Sequence, residues 1–408
     1  MFISGTRLAP AVTLTYARIR RLPTAARSGI MANRPDCDSG RSPGGLGGCI
    51  RARNRIVVHC KNQLEGHETM ASDILSDVLK EVHLSGALFF DIEGRAPWVA
   101  EAPPSCAFKA LIMPHAQHVI NYHVVANGVC WARLLDSADE PVRLTAGSVI
   151  VFPQGQPHVL SSEPGLREPF DPAIFDAPQP EGLKPLMLSR NGDGPQTVRL
   201  ICGFLGCDVV PFNPLLEALP PMLVITDGYS ERDGWLASLI RAAAAEGRDS
   251  RGGGRNVLSR LSELIFIEAV RIHAERLSED ARGWLAALRI PHVARALTLL
   301  HENPARGWTL SSLARAVGVS RTVLADTFRE ALGVPPMSYL ASWRMQVAAG
   351  QLADTDRPVY LIAEAVGYES EASFSRAFRR ATGLSPGIWR SERNGNLGGP
   401  EPYFKHDT

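Results

Sequence analysis

Leu313-Ala314-Arg315-Ala316-Val317-Gly318 recurs 49 residues later as Ile362-Ala363-Glu364-Ala365-Val366-Gly367. Past this hexapeptide the offset becomes 50, pairing Ser320 with Ser370, Phe328 with Phe378, Arg329 with Arg379, Gly333 with Gly383 and Pro336 with Pro386. A repeat at fixed spacing indicates duplicated supersecondary units, and the second turn is one residue longer. Each copy reads as helix, glycine turn, serine N-cap, helix and glycine stop. Ala314 and Ala363 let two helices approach closely, and Gly318 and Gly367 allow the positive φ of a sharp turn. Ser320 and Ser370 can accept hydrogen bonds from the free amides that open the next helix. Two helix-turn-helix units are expected, joined by one long helix over Met337–Leu352.

In such a unit the second helix lies in the DNA major groove. The first reading helix is expected over Arg321–Glu330, with Leu324 and Phe328 inward and Arg321, Thr322, Ala325, Asp326 and Arg329 outward. In the second, Phe374 and Phe378 point inward, leaving Glu371, Ala372, Ser375, Arg376 and Arg379 outward. Trp308 to Arg390 resembles the tandem helix-turn-helix domain of the AraC/XylS family of bacterial transcription regulators. Ser342-Trp343-Arg344-Met345, Ile362–Tyr368, Phe374-Ser375-Arg376-Ala377-Phe378 and Thr382-Gly383-Leu384-Ser385-Pro386 carry the resemblance. It implies base contacts from Arg321, Thr322, Ala325 and Asp326, and from Glu371, Ala372, Ser375 and Arg376. Arg376 suits a bidentate bond to guanine. Ala325 and Asp326 are poor readers, so discrimination is expected to rest more on the second copy. Arg329, Arg344, Arg379, Arg380 and Arg390 are expected on phosphates, which position without specifying.

Upstream, short apolar segments are broken by Gly, Pro, Asn and Asp: Gly86–Asp91, Ala107–Met113, Val119–Val125, Val129–Leu135, Pro141–Leu144, Ser148–Phe152 and Thr197–Phe204. Short strands at this spacing predict a sandwich or barrel. Gly147, Pro153, Gly155 and His158 resemble the second sequence motif of the cupin β-barrel, in which a tight turn aims His158 into the barrel mouth. The first motif is degraded. Counting back from Gly128, taken as its turn glycine, puts Asn121 where the family has Glu, with His115 and Gln117 as an imperfect His pair. His118 and His123 lie close by. Three readings follow: a barrel without its metal, a site built from His115, His118 or His123 with His158, or a cupin enzyme. A metal needs about three convergent ligands. The expectation is no cofactor and no metal, with His115 and His158 as ligands if there is one, and no enzymatic activity.

Leu166–Gln196 reads as a long loop or lid, and Asn213–Pro220 as a short helix. Two further helices follow, one from Trp235 to about Gly247 and one over Val257–Leu277. The apolar stripe of the latter is wider than a surface helix needs. Burial against the barrel and burial in a homodimer both account for it.

None of the seven cysteines forms a Cys-x-x-Cys, and Cys37, Cys49 and Cys60 fall in the first 69 residues. Cys130, Cys202 and Cys207 are either buried structural thiols or, with His115, His118, His123 and His158, candidate sensor residues. Cys202 and Cys207 should lie on opposite faces of one strand. Some relatives with this sensor type respond to oxidants, so the resemblance admits an oxidant as well as a small-molecule effector.

The 408 residues carry 43 basic and 42 acidic side chains, a net charge of +1. The division is uneven: +7 over residues 1–69, −8 over 70–289 and +3 over 290–394. A uniformly basic nucleic-acid coat is excluded, whereas a localised DNA site is not. A hydrophobic content of 45% and a charged content of 21% are ordinary for globular proteins. The Arg-rich head reads as a disordered or mis-annotated extension, with Met70 as an alternative start, or as a targeting or nucleic-acid-binding tail.

The expected fold is therefore α+β and multidomain. It comprises the head (1–69), a cupin-like sensor barrel (70–228), a helical linker and dimerisation segment (229–289), an all-α tandem helix-turn-helix domain (290–394) and a tail (395–408). Expected partners are double-stranded DNA, a second copy of the chain, RNA polymerase and an effector, in the cytoplasm and without a membrane.

Overall fold

The computed structural model describes residues 70–170, 186–226, 234–248 and 252–396. The basic head and the middle of Leu166–Gln196 lie outside the described residues. Helix α1 (Met70–Glu81) leads into β1 (Ser85–Arg95) and β2 (Val99–Ala102), and the short α2 (Ser105–Ile112) precedes the long β3 (His118–Leu134). Strands β4 (Val142–Thr145), β5 (Val149–Phe152) and β6 (His158–Ser161) each pair antiparallel with β3. Then come β7 (Leu186–Asn191), β8 (Gln196–Cys207), α3 (Pro214–Ala218) and β9 (Leu223–Ile225). Strand β8 lies antiparallel between β3 and β1, and β7 adds to β1 in parallel.

Side-chain alternation divides this sheet between two cores. Val119, Val125, Ile150, Phe152, Leu200, Cys202 and Phe204 fill the barrel. Their neighbours Ile120, Tyr122, Val124, Val149, Val151, Ile201 and Leu205 face the helices. Cys202 and Cys207 accordingly fall in different cores, on the opposite faces that alternation requires.

Four local expectations are corrected. Ala107–Met113 belongs to helix α2, not to a strand: Ser105 and Phe108, one turn apart, face inward while Cys106 and Ala107 are exposed. Val119–Val125 and Val129–Leu135 are one strand, bent at a bulge between Val125 and Asn127. Gly128 makes no chain reversal; it holds φ 83° inside that strand, where a Cβ would lie 1.9 Å from the Thr197 carbonyl. The segment read as a loop ends in β7, which completes the sheet edge on β1.

Helices α4 (Gly234–Arg248) and α5 (Gly254–Arg276) pack on each other and on the barrel. Tyr122 and Ser262 share a buried hydroxyl hydrogen bond of 2.6 Å, and Ser259 Oγ donates to Gly86 O at 2.9 Å. Leu258, Ile265, Phe266, Ala269, Val270 and Ile272 are buried, so most of the wide stripe covers the barrel. Trp235, Val257 and Leu264 remain exposed.

The C-terminal helices are α6 (Trp284–Ala287), α7 (Pro291–Glu302), α8 (Leu310–Val317), α9 (Arg321–Leu332), α10 (Pro336–Asp354), α11 (Val359–Ala365), α12 (Glu371–Thr382) and α13 (Pro386–Asn396). The α8–α9 unit buries Leu313, Leu324 and Phe328 in the core that also holds Val78 of α1. The α11–α12 unit has a core of its own around Ile362, Phe374, Phe378 and Trp389.

Candidate nucleic-acid interface and barrel cavity

Both reading helices are built from local signals. Gly318 and Gly367 adopt φ 78° and 81° at the turns. Ser320 Oγ accepts from Val323 N at 3.2 Å and Ser370 Oγ from Ser373 N at 3.3 Å. Gly333 and Gly383 close the helices in the left-handed conformation. With Leu324, Phe328, Phe374 and Phe378 fully buried, the opposite faces are necessarily outward. Arg321, Thr322, Asp326 and Arg329 are exposed on α9, and Glu371, Ala372, Arg376, Arg379 and Arg380 on α12. Ala325 and Ser375 are half-buried. Val323 also stands out from α9, a position overlooked because an apolar residue is assigned to the core by default.

Two of the arginines expected on phosphates also hold backbone carbonyls. Arg344 Nε donates to Pro304 O at 2.7 Å and a terminal nitrogen donates to Arg306 O at 3.0 Å. Burial lowers its pKa, and its guanidinium lies 6.0 Å from the Tyr368 ring centroid. Arg390 donates to the carbonyls of Leu352 and Arg357. Arg344 thereby ties α10 to the segment after α7, and Arg390 ties α13 to the end of α10 and the turn that follows; both were expected on phosphates, and each keeps three of its five guanidinium N–H donors beyond these bonds.

The barrel holds a half-open pocket of about 90 Å³. Phe90, Phe108, Phe170, Phe204, Leu160 and Leu200 supply most of its wall, with Glu101, Asn121, His123, His158 and Cys202 among the polar groups. Phe108 meets Phe204 edge-on at 5.5 Å. These apolar residues come from three separate strands, α2 and a loop, so no local motif in the sequence joins them.

His158 is fully buried and stacks on Phe152 at 3.6 Å. Its partner is His123, with the two Nε2 atoms 2.8 Å apart, and not His115, which is exposed in the turn before β3. His158 Nδ1 donates to Gln156 O at 2.8 Å. Its Nε2 is then the acceptor, His123 Nε2 donates, and His123 Nδ1 is left as a buried acceptor without a partner. Burial lowers the His158 pKa to about 4 and that of His123 well below the usual range, so both rings are neutral.

The remaining candidate ligands are tied up. His118 Nε2 bonds Pro153 O at 2.7 Å, Gln117 Oε1 accepts from Val209 N and Val210 N, and Asn121 Oδ1 accepts from Ser105 Oγ. Among the described residues no three His, Cys, Asp or Glu side chains converge as a metal site.

Cys130, Cys202 and Cys207 are buried free thiols. Burial pushes Cys130 and Cys207 up to about 12 and Cys202 well above its ordinary value. This opposes an oxidant-sensing role for them, because the thiolate is the reactive species.

The family profile described as Cupin matches residues 73–275, and the one described as Helix-turn-helix domain matches 313–392. An AraC-like transcription regulator of Streptomyces antibioticus is 32% identical over 320 residues, covering 78% of this chain and 97% of that protein. The HTH-type transcriptional regulator AlkR of Acinetobacter baylyi is 28% identical, covering 78% and 99%. The RCS-specific HTH-type transcriptional activator RclR of Escherichia coli is 28% identical, covering 68% and 87%. No helix among the described residues is long and apolar enough to cross a membrane. A cupin barrel joined to tandem helix-turn-helix units, matched by relatives over nearly their whole length, places the chain in the AraC family of transcription regulators.

Proposed function

We propose that α9 and α12 read one DNA duplex under the control of an effector held in the barrel. The observation that carries this reading is the division of each reading helix into a buried apolar face and an exposed polar one. Arg321, Thr322, Ala325 and Asp326 on α9, with Glu371, Ala372, Ser375 and Arg376 on α12, meet base edges. Arg329, Arg379 and Arg380 meet phosphates. The sensor spans 70–228, the helical linker 229–289 and the DNA-binding domain 290–394. Two copies associate through α4 and α5, where Trp235, Val257 and Leu264 offer apolar surface. RNA polymerase is the downstream partner, the cytoplasm is the site of action, and the chain carries out no catalytic step.

The effector is a small, largely apolar molecule, because aromatic and aliphatic side chains dominate the pocket wall. The buried thiols favour binding over oxidation as the signal.

The test is footprinting on the intergenic DNA beside the gene with the full-length chain and Arg376→Ala. A bidentate Arg–guanine pair contributes about 1–3 kcal/mol of discrimination, so the variant should lose about five- to 150-fold in preference for its site. Unaltered binding and preference would remove Arg376 from the contact set.

A further inference from the structure

A polar seam outside both sites joins the barrel to the second helix-turn-helix. His83 follows α1, and its Nδ1 bonds Asp208 Oδ2 at 2.9 Å while its Nε2 bonds Asp354 Oδ2 at 3.1 Å. Arg393 of α13 donates to the other Asp208 oxygen at 2.6 Å. The charges alternate along Arg393–Asp208–His83–Asp354, so the chain of bonds passes from α13 to the barrel and returns to the end of α10. Gln346, only 1% exposed, adds two neutral bonds: its Nε2 donates to Glu81 O at 2.7 Å and its Oε1 accepts from Phe212 N at 3.0 Å.

Two backbone features fit a built contact. A Cβ at Gly350 would stand 3.2 Å from Glu81 Oε2, so the helix surface is hollowed where the barrel side approaches. His83 holds φ 47°, the only non-glycine residue with positive φ among the described residues. A residue with a side chain keeps that conformation only where its surroundings hold it.

The two reading units are attached differently. The first shares an apolar core with α1, and separating them would expose that core. The second has its own core and meets the barrel side through polar groups, which water can replace. The strand that ends at the seam also lines the pocket: Leu200, Cys202 and Phe204 border the cavity, and Asp208 lies four residues beyond Phe204. At a rise of about 3.3 Å per residue this is about 13 Å along the chain. An occupant that displaces β8 therefore acts on the carboxylate shared by His83 and Arg393.

We propose that the Arg393–Asp208–His83–Asp354 seam is a latch that holds the second helix-turn-helix against the barrel and lowers DNA affinity until β8 is displaced. The inference rests on the DNA-binding reading above.

The test uses the full-length chain and a duplex selected by the wild-type protein from a random-sequence pool. His83→Gln and Arg393→Gln each remove a positive charge, so electrostatics alone would weaken DNA binding. Release of the latch instead raises affinity, by about fivefold or more on the scale typical of coupled sites. Amide exchange in α13 of the free protein should quicken in both variants, with α8 unchanged. Unchanged or weaker DNA binding in folded variants overturns the latch, whatever exchange does. Arg393 lies on the last of the described helices, so its variant decides the question if His83→Gln fails to fold. Failure to select any duplex would remove the DNA-binding reading and the latch with it; a selected duplex with unaltered variants removes the latch alone.

Discussion

Gly318 and Gly367 hold the same place in the two copies and nearly the same backbone, φ 78° and 81°, yet replacement by alanine should have unequal consequences. Either substitution puts a Cβ on a left-handed residue, at about 1–2 kcal/mol, offset by about 0.4–1 kcal/mol from the stiffer unfolded chain. Nothing lies within 4 Å of the new Cβ at Gly318. The net loss there is at most about 1.6 kcal/mol, from these terms alone. At Gly367 the Cβ would stand 2.5 Å from Ala305 O and 2.8 Å from a guanidinium nitrogen of Arg344. The first contact is backbone and the second belongs to the side chain bonded to Pro304 and Arg306. A hydrogen bond to a charged group contributes about 1.5–3 kcal/mol, so losing one brings Gly367→Ala to about 3 kcal/mol.

Native-state amide exchange reads each unit separately, because local opening has its own free energy. Exchange in α12 should quicken by about a hundredfold in Gly367→Ala, and in α9 by at most about fifteenfold in Gly318→Ala, at a factor of ten per 1.4 kcal/mol. Equal acceleration in the two variants would refute the assignment of the second turn to the Arg344 clamp.

Arg344→Ala and Arg379→Ala should separate clamp from contact: the first lowers thermal stability by about 1–3 kcal/mol through its lost bonds, and the second lowers DNA affinity with the melting temperature unchanged. The two carboxylates bonded to His83 raise its pKa to about 9 from 6.5, with Lys80, Glu81 and Arg393 as the other charged groups nearby. Its contribution is therefore complete below pH 6.5 and lost as pH rises through about 9, and melting curves of His83→Gln should lack that alkaline decline. A thiol reagent should label the exposed Cys106 well before Cys130, Cys202 and Cys207, which become reactive only in urea; mass spectrometry of the labelled chain measures the order, and early labelling of Cys202 would revive the oxidant reading.

The tandem units were legible because their signals are local: a glycine at each turn, a serine at each cap and apolar residues at helical spacing within about twenty positions. The barrel was legible as a class and blurred in its parts. Ala107–Met113 is an apolar run, and such a run does not distinguish a strand from a one-sided helix until its neighbours are known. The imidazole beside His158 was legible only as one of three, His115, His118 or His123, with nothing in the sequence to choose among them. His123 reaches it through the register of β3, which pairs His123 with Ile150 and Cys202, and register is a non-local property. The same limit applies to the arginines. Arg344, Arg379, Arg380 and Arg390 look alike in the sequence, and only the carbonyls that fold toward Arg344 and Arg390 set those two apart.

That distinction bears on how a duplicated motif can divide its labour. Leu324 and Phe328 in the first copy, and Phe374 and Phe378 in the second, are equally buried. The first pair is buried in a core reaching through α7 to α1, whereas the second pair is buried among residues of α10 to α13 alone. A shift of the barrel therefore strains the first unit directly, because close-packed interiors transmit displacement. It reaches the second only through α10 and the polar seam. The copy whose exposed face carries Arg376, the proposed guanine reader, is thus the one held by contacts that water can replace. Specificity and control would then act on one helix, α12, while the first unit serves as the fixed anchor on the duplex.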